Sequence, residues 1–135
     1  MFLGSPASGE DLKYLIASVR AEFSASLPEQ YLDFLRRFDG LSSGGVFIYS
    51  SRPLVLNDGE SYGHDFIELN KNFRDLEFMR DFLVFGESDQ DAYMLDLVSG
   101  RFQVRDRQVF DNVFEEFDCF DGLLGFMVGL VLERA

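Results

Sequence analysis

The chain has one cysteine, one histidine, three prolines and no tryptophan, and only half as many basic as acidic residues. Each scarcity closes off a class of protein. With Cys119 alone, no internal disulfide can form, so stability has to come from a packed core, and a reducing compartment is the simpler expectation. One His and one Cys cannot supply the four ligands of an ordinary structural zinc site. His64 stands in a polar stretch with Ser61 near it only in sequence, which leaves a nucleophilic triad without its parts. Twelve Lys and Arg against 24 Asp and Glu give a formal charge of -12, which argues against general affinity for a nucleic-acid backbone or an anionic membrane surface. The longest apolar run, Leu123–Leu132, is ten residues, half of the ~20 that a membrane-spanning helix needs. The opening MFLGSPASGED has neither the basic region nor the apolar run of a secretory leader, so a cytoplasmic location is expected. No GxGxxG or GxxxxGK phosphate loop is present.

What is there is a core-forming chain. Of the 135 residues, 47% are apolar and 16 are Phe, enough for one domain, residues 1–135, built around large rings, with residues 1–8 expected to be flexible. The acid excess is uneven: from Asp81 onward four basic residues face twelve acids. Two readings stay open, a basic protein partner and simple solubility.

Taken in order, Leu12, Leu15, Ile16, Val19 and Phe23 recur at spacings of three and four, which predicts an amphipathic helix over residues 8–23. A second start signal follows at Ser26 and Glu29, spaced like a capping box with Pro28 in the first turn. Leu27, Tyr31, Phe34, Leu35 and Phe38 form the second helix's apolar stripe, with Gly40 available for its left-handed exit. Gly44 and Gly45 open a strand at Val46–Tyr49. Pro53–Leu56 reads as a short edge partner, Asn57–Gly59 as a turn and Glu60–His64 as a loop. Asp65 and Glu68 then start a helix carrying Phe66, Leu69, Phe73 and Leu76, with Phe78 and Met79 closing its packing.

Phe82–Arg107 is the scaffold. Phe82–Phe85 reads as a strand; Ala92–Val98 as a second, with Tyr93, Leu95 and Leu97 on one face and Met94, Asp96 and Val98 on the other. Ser99-Gly100 reads as a two-residue turn, after which Phe102 and Val104 point inward and Gln103 and Arg105 outward. Val109–Phe117 has both helical spacing, through Phe110, Phe114 and Phe117, and room for a last strand. Asp118 and Asp121 start a terminal helix. Gly122, Gly125 and Gly129 lie roughly on one of its faces, for which close approach to the sheet is preferred over a dimer contact. Cys119, between Phe117 and Phe120, is expected to be buried. The sum is an α+β fold: a single antiparallel sheet of about four to six strands flanked by N-terminal, middle and C-terminal helices.

Chemistry is sparse. Glu87, Asp89 and Asp91 form an acidic loop, and Asp89 and Asp91 are spaced like the first two ligands of an EF-hand. Tyr93 and Met94 then fall where that loop needs an oxygen ligand and Gly. With 24 acids, carboxylate pairs of the kind used in glycoside hydrolysis are always available and indicate nothing. No metal site, no cofactor and no catalytic residue is expected. Glu87, Asp89 and Asp91, with Asp58 and Glu60 as lesser candidates, are the residues expected to meet a partner.

LPEQYLDFLRRFDG, with Leu27, Pro28, Tyr31, Phe34, Leu35 and Gly40, resembles the opening signature of the SUKH superfamily. FGESDQDAYMLDLVSG, with Phe85, Gly86, Tyr93, Leu95 and Gly100, resembles its strand, loop and strand ending in a turn, and FDCFDGLLGFM is similar to the start of its last helix. The resemblance runs from Leu27 onward and rests on packing motifs. Glu87, Asp89 and Gln90 depart from it, standing where several members have glycines. The resemblance implies a non-catalytic cytosolic protein that binds a protein partner. The leading form is an immunity protein occluding a bacterial toxin such as a basic nuclease; the alternative is an adaptor or regulator with no toxin partner. It implies neither nucleic-acid nor membrane binding and leaves the oligomeric state open.

Overall fold

The computed structural model describes residues 1–55, 59 and 61–135, of which the side chains of Val55, Ser61 and Tyr62 are not described. In order the elements are β1 (Phe2–Leu3), α1 (Gly9–Phe23), α2 (Glu29–Arg37), β2 (Leu41–Ser43), β3 (Val46–Ile48), β4 (Leu54–Val55), β5 (Ser61–Tyr62) and α3 (Phe66–Phe73). A 3₁₀ turn (Glu77–Asp81) leads into β6 (Phe82–Glu87), β7 (Asp91–Asp96), β8 (Phe102–Asp106), β9 (Val113–Phe117) and α4 (Phe120–Arg134).

The α+β architecture is as expected, but the sheet is larger. Seven strands pair antiparallel in the order β1-β2-β3-β6-β7-β8-β9, against the four to six read from the sequence. The added strands are short or sit at the two edges. Within residues 1–8, expected to be flexible, Phe2 and Leu3 pair with Ser42 and Leu41, Gly4 N–H donates to Gly40 O at 3.0 Å, and Ala7 N–H donates to Leu35 O at 2.9 Å. The strand expected after Gly44 and Gly45 is β3, one residue shorter than read, and with φ of 57° and 80° the two glycines form the turn that joins it to β2, a geometry that suits the twist of a hairpin and favours glycine. The segment from Pro53 pairs with β5 in a separate two-stranded ribbon rather than along the main sheet. Leu56, the end of the expected edge segment, and Asn57, Asp58 and Glu60, parts of the expected turn and loop, lie outside the described residues.

Local chemistry explains the helix ends. Ser8 Oγ accepts from Asp11 N–H at 3.0 Å while the Asp11 carboxylate accepts from Ser8 N–H at 2.9 Å, satisfying two amides that the first turn leaves free. Ser24, left-handed at φ 52°, ends α1. The second start differs from expectation: Pro28 itself is the N-cap of α2, its carbonyl accepting from Tyr31 and Leu32, and Ser26 makes no cap. Asp65 caps α3 through Glu68 N–H at 3.2 Å.

The core is aromatic. Phe85, fully buried at the centre of β6, lies with its ring centroid 4.9 Å from Tyr31, 5.5 Å from Phe66, 5.2 Å from Phe120 and 6.2 Å from Phe102. One strand, three helices and the next strand but one thus meet on a single ring. Burying a ring of this size contributes on the order of 2–3 kcal/mol. Ile16, Phe38, Leu76 and Phe78, counted toward the apolar stripes, are exposed instead.

β7 stops at Asp96, whose carboxylate accepts from Val98 N–H at 2.9 Å and Ser99 N–H at 3.3 Å. This side-chain turn pulls Leu97 and Val98 out of the strand, so the connection to β8 runs from Leu97 to Arg101 instead of being a Ser99-Gly100 pair. Gln103 does not point to solvent: it is buried in register with Met94 and Val84, donating to Glu116 at 2.9 Å and accepting from Arg105 at 2.8 Å. Val109–Phe117 resolves as a turn followed by the edge strand β9. In α4, Gly122 does approach a strand, since a Cβ there would lie 2.8 Å from Phe117. Gly125 and Gly129 face open space, which overturns the expectation that the glycines as a set allow close approach to the sheet. Cys119 is exposed at the N-cap of α4.

Candidate partner-binding surface

The acidic loop between β6 and β7 lies at one end of the sheet, and the structure gives its three acids different environments. Glu87 turns inward. Tyr49, completely buried, donates its hydroxyl to Glu87 Oε1 at 2.7 Å, and the Arg107 guanidinium sits 3.1 Å from Glu87 Oε2. Arg107 also donates to Ser88 O at 2.7 Å, and its own N–H donates to Gln90 O at 2.9 Å. The end of β8 therefore clamps the loop. Burial first, and then the Glu87 charge, push the Tyr49 phenol well above its ordinary range, because a phenolate there would be both dry and beside a carboxylate.

His64 stacks flat on Phe47, ring centroids 3.9 Å apart and planes 10° from parallel. Desolvation lowers its pKa below the usual imidazole value despite the nearby Glu87 charge, so the ring is neutral at pH 7.

Asp89 faces solvent. Arg134, at the end of α4, holds it at 2.9 Å and donates its other nitrogen to Gly44 O at 2.8 Å. That hydrogen bond holds the Asp89 carboxyl below its ordinary value. Three segments distant in sequence, the β2–β3 turn, the acidic loop and the C-terminal turn of α4, meet on one guanidinium.

Asp91 is half-buried and directly opposite Asp106 across β7 and β8. Its pKa is raised, first by burial and then by the Asp106 and Asp89 charges. Of the three loop acids, then, Asp89 is displayed, Asp91 is half-covered and Glu87 is structural. Asp58 and Glu60 lie outside the described residues.

The remaining motif residues are placed in the frame. The Tyr31 hydroxyl donates to Tyr49 O at 2.6 Å, with Phe34 and Leu35 buried beside it and Leu27 half-buried. Gly40 and Gly100 have φ of 98° and 75°. Tyr93 is buried and donates to Ser88 Oγ at 3.2 Å, while Leu95 is half-buried.

Sequence reasoning missed Asp106, Arg107 and Arg134, which complete the acidic end. The last strand is one of the two readings of Val109–Phe117, but its acids are not singled out there: Glu115 and Glu116 are exposed on β9, and Asp118 just beyond pairs with Arg101. Charged side chains on an edge strand oppose edge-to-edge pairing. Among the described residues, no cluster of three or more His, Cys, Asp or Glu has the arrangement of a metal site, and no helix is long and apolar enough to cross a membrane.

Fold and surface together define a small α+β domain in which the polar groups at the acidic end mostly hold the frame and the displayed groups are carboxylates. The chain belongs to the SMI1 / KNR4 family (SUKH-1), whose model matches residues 6–125. A search of the curated proteins finds no match. Membership agrees with the SUKH resemblance carried by Leu27–Gly40 and Phe85–Gly100, and it points to toxin immunity or to an interaction role of the SMI1/KNR4 type.

Proposed function

We propose that the chain is a cytosolic immunity protein that neutralises a basic bacterial toxin, such as a nuclease domain, by covering its surface without turnover or cofactor. The observation that carries this reading is the display of Asp89. Its only ion pair among the described residues is to Arg134, whose other hydrogen bond to Gly44 survives if Asp89 is taken by a different cation. An incoming Lys or Arg can thus replace Arg134 at Asp89 without undoing the fold. Asp91 and Asp106 beside it extend the negative field, and complementary fields of this kind raise association rates and reject like-charged partners.

The test is to look for a toxin domain encoded beside this chain and to co-express the two. Rescue of growth together with a purified one-to-one complex is the expected result. Continued killing with no complex would sink the proposal and leave the adaptor reading, for which a pull-down would return housekeeping partners.

A further inference from the structure

The cavity between the 3₁₀ turn and the connection from β8 to β9 carries a chemistry that the acidic end does not explain. It has a volume of about 570 Å³, and its walls include Phe78, Phe82, Arg105, Val109, Phe110 and Asp111. That is the size of a small-molecule site, roughly 300–1,000 Å³. The rings form one cluster. Phe110 meets Phe78 at 5.1 Å and Phe82 at 5.0 Å, both edge to face, while Phe78 and Val109 stay 52% and 60% exposed.

Arg105 is the cation of this lining, and it is held from three sides. Its Cζ lies 4.8 Å from the ring centre of Phe82 and 4.7 Å from that of Phe110. Its Nε donates to Oε1 of the buried Gln103 at 2.8 Å, and its Nη1 donates to Phe110 O at 3.1 Å. Among the described residues no carboxylate pairs with Arg105, and its Nη2 has no hydrogen-bond partner. A half-buried guanidinium fixed in place without a counter-ion is ready for an incoming carboxylate.

Asp111 supplies the opposite charge. It follows Phe110 directly, so the bond from Arg105 Nη1 to Phe110 O brings its carboxylate within about 10 Å of that nitrogen by covalent reach. It is exposed, and its side chain has no ion pair or hydrogen bond among the described residues. Asp81, the second acid of the lining, lies close enough to Arg74 to act on that charge, which leaves Asp111 the freer of the two. A plain anion in the cavity would be opposed by these carboxylates, and a plain cation by Arg105. A ligand with both charges on neighbouring atoms suits both. Hydrogen bonds of about 2.8 Å at its two ends, added to its own width, span about 8–9 Å.

We propose that the cavity binds a free α-amino acid with an apolar side chain. Its carboxylate meets Arg105, its ammonium meets Asp111, and its side chain lies against Phe78, Phe110 and Val109. Neither terminus of a peptide offers both charges. Glu87, Asp89 and Arg134 take no part, so the proposal stands or falls independently of the toxin reading.

Amide shifts of the whole isotope-labelled chain, titrated with L-phenylalanine and L-leucine, test it. Saturable shifts at Phe78, Arg105 and Asp111 are the expected result. N-acetyl-L-phenylalanine and L-phenylalaninamide, each lacking one charge, should bind at least about tenfold more weakly, the loss of one charge-assisted hydrogen bond. Glycine should be weaker by a similar factor, because it has nothing to lay on the rings. Asp111→Asn should weaken phenylalanine binding severalfold without moving the thermal midpoint, since its carboxylate is exposed and unbonded, and Asp81→Asn should weaken it less. No saturable shifts with either amino acid would overturn the proposal. So would an acetylated or amidated derivative that binds as well as phenylalanine, which would mean that one charge alone is read, or an Asp111→Asn variant that loses no more than Asp81→Asn.

Discussion

The side-chain amide of Asn70 takes the place of a strand beside Val84. Its Nδ2 donates to Val84 O at 2.8 Å and its Oδ1 accepts from Val84 N–H at 2.8 Å, while Nδ2 also donates to Phe66 O at 2.9 Å. The need arises because β3 pairs with β6 only at Gly86 and Glu87, and a bulge between Val84 and Gly86 breaks the register with β7 on the other side. Without Asn70, two buried peptide groups at the centre of the sheet would be unpaired. Asn70→Ala is expected to cost about 2–4 kcal/mol, since each buried polar group left without a partner costs roughly 1–3 kcal/mol. Urea unfolding measures the loss, and amide exchange at Val84 should speed up more than at Met94. A loss under about 0.5 kcal/mol would mean that water replaces the amide.

Gly86 admits no side chain. A Cβ there would lie 2.5 Å from Phe47 O and 3.1 Å from Met127 Sδ, so β3 would have to retreat from β6 and the Met127 side chain to shift. Met127 can adjust because it is flexible, whereas the Phe47 carbonyl belongs to the sheet. Gly86→Ala is expected to destabilise by about 3 kcal/mol, at the upper end of overpacking costs, and to lower the thermal midpoint accordingly. By contrast Gly100→Ala is penalised only through its φ of 75°, since no atom crowds it, and about 1 kcal/mol is expected there.

Asp39 is a buried carboxylate held by Ser51, whose N–H donates to it at 2.7 Å and whose hydroxyl donates at 2.8 Å. Burial pushes its pKa above 3.8, and the two Ser51 hydrogen bonds only partly oppose this. The folded chain therefore holds this proton more tightly than the unfolded chain. Its effect on stability is most favourable at low pH, declines as pH rises from 3.8 through the raised value, and is constant above it. Asn in its place can still accept from Ser51 N–H and can donate to the hydroxyl. Asp39→Asn is expected to match or exceed wild-type stability at pH 7, with the difference between the two shrinking below pH 4. Ser51→Ala should lower stability by about 1 kcal/mol. Thermal midpoints of the three proteins across that pH range decide the matter; a large loss in Asp39→Asn at neutral pH would show that the charge itself is needed.

The parts of this fold legible in the sequence are those whose signals are local. Leu12, Leu15 and Val19 mark α1 because three- and four-residue spacing suffices to bury one side of a helix, and the Phe82–Val104 meander shows its alternation over several residues. β1 and β2 are two and three residues long, too short for any period, and they exist because Gly44 and Gly45 return the chain onto Leu41–Ser43. Phe110, Phe114 and Phe117 carry helical spacing by coincidence: β9 forms because β8 offers an unpaired edge, which is a tertiary cause. The acidic end was half legible for the same reason. Glu87, Asp89 and Asp91 are adjacent in the chain, but whether each faces solvent depends on Tyr49, Arg107, Arg134 and Asp106, which only the folded sheet brings there.

That division makes the three loop acids separable by experiment. Glu87 accepts from a buried hydroxyl and pairs with a guanidinium, so Glu87→Gln should lower stability by about 1.5–3 kcal/mol, the range for hydrogen bonds to charged groups. Asp89 is exposed, and the loss of its pair with Arg134 should leave the urea midpoint nearly unchanged, as for other solvated ion pairs. If the displayed carboxylates steer a basic toxin, Asp89→Asn and Asp91→Asn should slow association severalfold at low salt and flatten its dependence on ionic strength, leaving dissociation nearly unchanged. Stopped-flow mixing with a basic toxin domain that the chain is found to bind gives both rates. Glu87→Gln, once corrected for the fraction folded, should alter association less than Asp89→Asn, because its charge is already neutralised by Arg107. Equal association rates and salt slopes for wild type and the Asp89 and Asp91 variants would reduce the loop to a solvated turn and move the search for the toxin contact to the Glu115 and Glu116 edge.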